Sequence, residues 1–194
     1  MLKHVVTDYS PTALVGGVFR KGGINLIYGE SGIGKTVSTI RSLNKEGIVP
    51  ILLDYDNNDS PSTNKCDYLH INGRAFLHDK DATIPTDKVI IVDTWVSYQS
   101  NYYGSREGAP IEFLESLKSE GNTIIIVAHN KGIATKKDIP DMDEHIVNHL
   151  SAKLFMEYVP GKTTAKLKTS ESVDVIVMKC RGYSGPRRIT NWMR

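Results

Sequence analysis

The residues best suited to chemistry stand near the amino end. Gly29-Glu30-Ser31-Gly32-Ile33-Gly34-Lys35-Thr36 matches the spacing GxxxxGK[ST] in full. A short apolar run at 24–28 precedes it, and the stretch 35–45 that follows reads as a helix ending near Gly47. Glycines at these positions let the backbone curl so that successive N–H groups face an anion at the positive end of the helix dipole. Lys35 can then reach the β- and γ-phosphate oxygens, and the Thr36 hydroxyl can ligate Mg²⁺. The pattern predicts a nucleotide site, with Gly29 through Val37 as the binding segment. A tight turn carrying a surface lysine is the plain alternative, and it does not need all these positions filled at once.

A carboxylate that completes the metal shell should end a buried strand. Val89-Ile90-Ile91-Val92-Asp93 supplies it, so Thr36 and Asp93 are the expected metal ligands. The next residue is Thr94 rather than Glu, so no adjacent carboxylate can activate water. Either the base lies elsewhere, or the chain is a kinase or GTPase that positions its nucleophile differently. In His129-Asn130-Lys131-Gly132-Ile133, Ile133 stands where a guanine-reading Asp is needed, and Asp93-Thr94-Trp95-Val96 lacks the Gly of a DxxG switch. The GTPase reading is therefore weak. Asp54-Tyr55-Asp56-Asn57 ends the apolar run 51–53, and period-2 alternation puts Asp54 and Asp56 on one face. If that strand lies beside the phosphate-loop strand, one carboxylate can serve as general base and the other as a turn group. Both can also be ordinary strand-end turn residues.

These residues need strands to carry them. Apolar runs alternate with helix-compatible stretches, which predicts an α/β fold with a mainly parallel sheet. Strands are expected at 24–28, 51–55, 88–93 and 123–128, and a second helix at 110–120. Further strands at 152–158 and 173–180 should be antiparallel to each other across a polar connector at 160–172. The segment 57–87 reads mostly as loop. A chain of 194 residues fits one domain, with 1–20 as a candidate subunit-linking arm. With 40% hydrophobic and 24% charged residues a packed core is expected, and no apolar run approaches the roughly 20 residues of a membrane-spanning helix. Cys66 and Cys180 lie far apart without a CxxC, which argues against a disulfide scaffold or a cysteine zinc site and for a reducing, cytoplasmic setting. A net charge of +2 says little about nucleic acid, although 179–194 carries five basic residues and no acidic one.

Taken in order, these features resemble the RecA-like ATPases, particularly hexameric replicative helicases of the DnaB and plasmid RepA type and the short RecA/RadA-like recombination ATPases. Gly22-Gly23-Ile24-Asn25-Leu26-Ile27-Tyr28 leads into the phosphate loop, and Asp56 stands where the family has a catalytic Glu. Asp93 lacks a following Glu, His129-Asn130 matches a polar sensor, and Lys179-Cys180-Arg181 looks like the family's KxR element. The resemblance implies a RecA-like P-loop NTPase core with a mainly parallel central sheet, flanking helices and antiparallel strands at the C-terminal end. It implies ATP and Mg²⁺ bound by Lys35, Thr36 and Asp93, water polarised by Asp56, and the γ-phosphate sensed by His129. Lys179 and Arg181 would act on a neighbour's nucleotide, which requires a homo-oligomer, a ring hexamer or filament. Single-stranded DNA would meet loops leaving the third and fourth strands, through Tyr102, Tyr103, Arg106, Lys131, Lys136 and Lys137. Two departures stand out: Asp in place of Glu, and a short stretch between Thr36 and Asp93. The expected activity is a DNA-dependent ATPase, as helicase or recombination ATPase. The alternatives are a small P-loop kinase, although 131–143 carries no Arg for a lid, and a nucleotide-binding regulator that hydrolyses poorly.

Overall fold

Period-2 alternation along the apolar runs gives the sheet two buried faces, and each face has its own helices. A computed structural model describes residues 14–56, 66–79, 81–106, 108–131 and 140–156 with their side chains, and the backbone of 157–158, 164–169, 175–181 and 188–191. A hairpin of β1 (Leu14–Val15) and β2 (Phe19–Arg20) precedes β3 (Ile24–Gly29), α1 (Lys35–Lys45) and β4 (Ile51–Asp54). Then come β5 (Leu69–Asn72), α2 (Gly73–His78), β6 (Val89–Asp93), α3 (Trp95–Tyr103), α4 (Pro110–Ser119) and β7 (Thr123–His129). The chain continues with α5 (Glu144–Val147), β8 (Ala152–Tyr158), β9 (Thr164–Thr169), β10 (Val175–Arg181) and β11 (Arg188–Asn191).

The nine-stranded sheet has the order β11-β10-β9-β8-β3-β7-β6-β4-β5. The six strands from β8 to β5 in that order are parallel, and β9, β10 and β11 continue from β8 as an antiparallel meander. On one face Ile27, Leu52, Ile91, Ile125 and Val127 pack with Ile40 and Leu43 of α1 and with Phe19 of the hairpin. On the other face Leu26, Leu53, Val92, Ile124 and Ile126 meet Leu77 of α2, Trp95 and Tyr98 of α3, and Leu114 and Leu117 of α4. Strands covered on both sides read as unbroken apolar runs, which is why β3, β6 and β7 fall within a residue of their predicted limits.

Four expectations are corrected. The segment 57–87 contains β5 and α2, an edge strand of four residues and a helix of six, both too short to announce themselves by periodicity. The polar connector contains β9, so β8 and β10 are each antiparallel to β9 and are not paired with each other. Polar residues at alternate positions, as in Thr164-Ala165-Lys166-Leu167-Lys168-Thr169, suit a strand but resemble a connector. The stretch after Asp93 is the helix α3 rather than a loop. Finally, β4 is not beside β3, because β7 and β6 lie between them.

Candidate nucleotide site

The phosphate loop leaves β3 at Gly29 and enters α1 from Gly34. Gly29 has φ 156°, and a Cβ there would run into the main-chain carbonyl of Met156 on β8. Only glycine lets the two strands stay paired to their ends. Ile33 is fully buried and pins the loop to the α1 side of the core, while Glu30 and Ser31 face solvent. Helix α1 starts without a side-chain cap, so no side chain competes for its first-turn amides, and the positive end of the dipole points into the loop. Val37 lies in this first turn with its side chain buried.

Lys35 is buried, and its Nζ donates to the carbonyls of Gly29 (3.1 Å) and Glu30 (2.8 Å). Burial lowers its pKa to about 8, against the opposing pull of the Asp93 and Glu30 carboxylates. His129 Nδ1 lies 3.5 Å from that ammonium. Burial, then the Lys35 charge, holds the imidazole below its ordinary value, against the opposing charges of Asp56 and Asp141. The strand order explains this contact. Because β7 is inserted between β3 and β6, Gly29 is the register partner of His129, and Asp93 of Val127.

Thr36 Oγ1 donates to Asp93 Oδ2 at 2.8 Å across the same crevice. Burial raises the Asp93 pKa to about 6; the Thr36 hydrogen bond opposes that rise, and the charges of Asp56 and Asp54 add to it. One hydroxyl and one carboxylate form an oxygen-only donor pair that suits Mg²⁺ shared with phosphate oxygens. Among the described residues no group of three or more His, Cys, Asp or Glu could hold a metal ion.

The two strand-end carboxylates of β4 are not equivalent. Asp54 is buried; its Oδ1 accepts from the Asp56 amide (3.0 Å) and its Oδ2 lies 3.0 Å from His70 Nε2. Asp56 is partly exposed, and its charge bears on both Asp93 and His129. The turn after β4 crosses the end of β6, where the Tyr55 amide donates to the Asp93 carbonyl at 2.8 Å. Asp56 thus acts electrostatically on the site although β4 is three strand spacings from β3. His70 was invisible in the sequence, because it lies in a segment that reads as loop.

Lys179 and Arg181 lie in β10, which runs in the same direction as β3 and so ends on the phosphate-loop side of the sheet. Three strand spacings separate β10 from β3, on the order of 14 Å. Of the residues expected to meet DNA, Tyr103 is 62% exposed and Lys131 is exposed just after β7. Tyr102 is a correction. Tyr102 is buried with its ring 5.8 Å from Tyr98 and 6.1 Å from Phe113, because α3 turns it onto the sheet. The Arg106 Nε donates to the Leu77 carbonyl (3.0 Å) and its guanidinium lies 4.7 Å over the Phe113 ring. Lys136 and Lys137 lie outside the described residues.

Neither a family model nor a curated protein matches this chain. Solved structures do. The RadB recombinase superposes with a TM-score of 0.57 at 12% identity, over 93% of this chain and 96% of that one. The flagellar accessory protein FlaH from Methanocaldococcus jannaschii superposes with a TM-score of 0.58 at 14% identity, over 95% of this chain and 94% of that one. The fold is RecA-like. In that RecA-like frame the crevice at the carboxyl ends of β3, β7, β6 and β4 takes Lys35 and Thr36, Asp56, Asp93 and His129 from four separate segments. The two superposed proteins carry different descriptions, so the shared fold by itself assigns no activity.

Proposed function

We propose that this chain is an ATPase that works as a homo-oligomer, a ring or filament, on single-stranded DNA, as a helicase or recombination factor. The observation that carries the hydrolytic part is the convergence of Lys35, the Thr36–Asp93 pair and His129 in one crevice, on which the charge of Asp56 bears. Loop amides and Lys35 hold the triphosphate, and Thr36 with Asp93 would hold Mg²⁺. When bound, that ion neutralises charge on the β- and γ-phosphate oxygens. Asp56 orients and deprotonates the attacking water, and His129, beside Lys35, reads the presence of the γ-phosphate. Asp is one methylene shorter than the Glu of the resembled family, so slow basal turnover is expected.

Lys179 and Arg181 stand too far from their own phosphate loop for one side chain to span, yet on the same edge of the sheet. A neighbouring protomer's nucleotide is the target we assign to them, and such a residue can contribute roughly 10³–10⁵-fold in rate. The description of RadB as a recombinase favours DNA as the partner. Tyr103 and Lys131, on neighbouring strand exits, are the described residues we assign to it. Among the described residues, none in the crevice favours the kinase reading.

Hydrolysis of ATP with and without a single-stranded oligonucleotide tests the proposal. Stimulation by DNA, abolished by Lys35→Ala, is the expected result. Phosphoryl transfer to a small acceptor would replace it by a kinase, and nucleotide binding without turnover by a regulator.

A further inference from the structure

We propose that His70, on the edge strand β5, is a positioning residue for hydrolysis, acting through Asp54 on the turn that carries Asp56. The inference rests on the reading of Asp56 as the water-activating carboxylate. His70 and Asp54 are diagonal neighbours across the β4–β5 pair, since Leu52 faces His70 and Asp54 faces Asn72 in the register. Their side chains lie on the same face, and Nε2 donates to Asp54 Oδ2 at 3.0 Å. The imidazole is 44% exposed, whereas the carboxylate it meets is 5% exposed. The other oxygen of Asp54 accepts the Asp56 amide at 3.0 Å, closing an Asx turn. Each oxygen of this buried carboxylate thus accepts one hydrogen bond, one from each side, and the more exposed Asp56 is the carboxylate we assign to water.

Edge strand and helix brace the same turn from a second direction. Gly73, the first residue of α2, lies against the Tyr55 ring, where any Cβ would approach within 2.7 Å of three ring carbons. Tyr98 packs edge-on to that ring at 5.2 Å. With Tyr55 packed between Gly73 and Tyr98 and Asp54 hydrogen-bonded through both oxygens, the turn that carries Asp56 is braced from two directions. Hydrolysis gains from such fixed geometry, because a misplaced base costs rate rather than binding.

The test uses the full chain with His70→Leu, which removes the donor, and His70→Gln, which keeps one. Amide exchange at Asp56, measured without nucleotide, should quicken by about tenfold or more in His70→Leu and less in His70→Gln. In ATP hydrolysis, kcat should fall about tenfold in His70→Leu with KM unchanged, and recover in His70→Gln. In an Asp56→Asn background His70→Leu should have no further effect. Unchanged exchange, or an equal loss of kcat in the Asp56→Asn background, overturns the proposal. If exchange responds but Asp56→Asn hydrolyses like the unaltered chain, the assignment of Asp56 fails instead, and the catalytic role of His70 with it.

Discussion

Asp93 occupies its place in the fold at an energetic cost. Its folded pKa of about 6 stands above the ordinary 3.8, so the carboxyl stabilises the fold only when protonated. That contribution is complete below about pH 4 and is lost as pH rises through 6. Asp93→Asn should therefore raise the melting temperature of the chain in EDTA at pH 8, by several degrees for roughly 2 kcal/mol, with the gain vanishing near pH 4. The same variant should lose Mg²⁺-dependent nucleotide binding. A melting temperature unchanged or lowered at pH 8 would contradict the assigned burial. Asp93, Lys35 and Thr36 were legible in the sequence because a phosphate loop and its metal carboxylate demand fixed residue types at fixed spacing. The division of labour between Asp54 and Asp56 was not. It depends on His70, 16 residues from Asp54, and on which carboxylate is buried.

Helix α3 separates residues that adjacent sequence positions had grouped together. Trp95, Tyr98 and Tyr102 face the sheet, while Val96 and Tyr103 face outward. Tyr102→Ala should cost about 3–5 kcal/mol of stability, as expected for deleting a buried aromatic ring. Tyr103→Ala should leave the melting temperature within about a degree and weaken binding to a single-stranded oligonucleotide, by roughly 1–3 kcal/mol if a base stacks there. Fluorescence anisotropy with both variants checks this. Unaltered oligonucleotide binding by Tyr103→Ala removes α3 from the DNA surface. The sequence expectation placed Tyr102, Tyr103 and Arg106 together on a loop leaving the third strand. The 3.6-residue period, seen only over the whole helix and against the sheet, decides which rings are available.

At the scale of the whole molecule, the directions of β8, β9 and β10 bring Lys179 and Arg181 to the edge beside the phosphate loop, beyond reach of their own nucleotide. Arg181→Ala and Lys35→Ala should each lower DNA-stimulated hydrolysis by roughly 10³-fold. Mixing the two should restore activity, since the Lys35→Ala protomer can lend its Arg181 to a neighbour with an intact loop. No recovery on mixing, from samples shown to co-assemble, would sink the shared site. The sequence by itself determined the strand–loop–helix turn at 29–36, the carboxylate that ends β6 and the buried parallel strands. Each is encoded locally, by motif spacing or by an unbroken apolar run. Only the tertiary structure decided that β7 separates β3 from β6 and sets His129 against Lys35, and that a short edge strand steadies the Asp56 turn. Strand order and cross-strand contacts are long-range choices made by packing, and no local pattern records them.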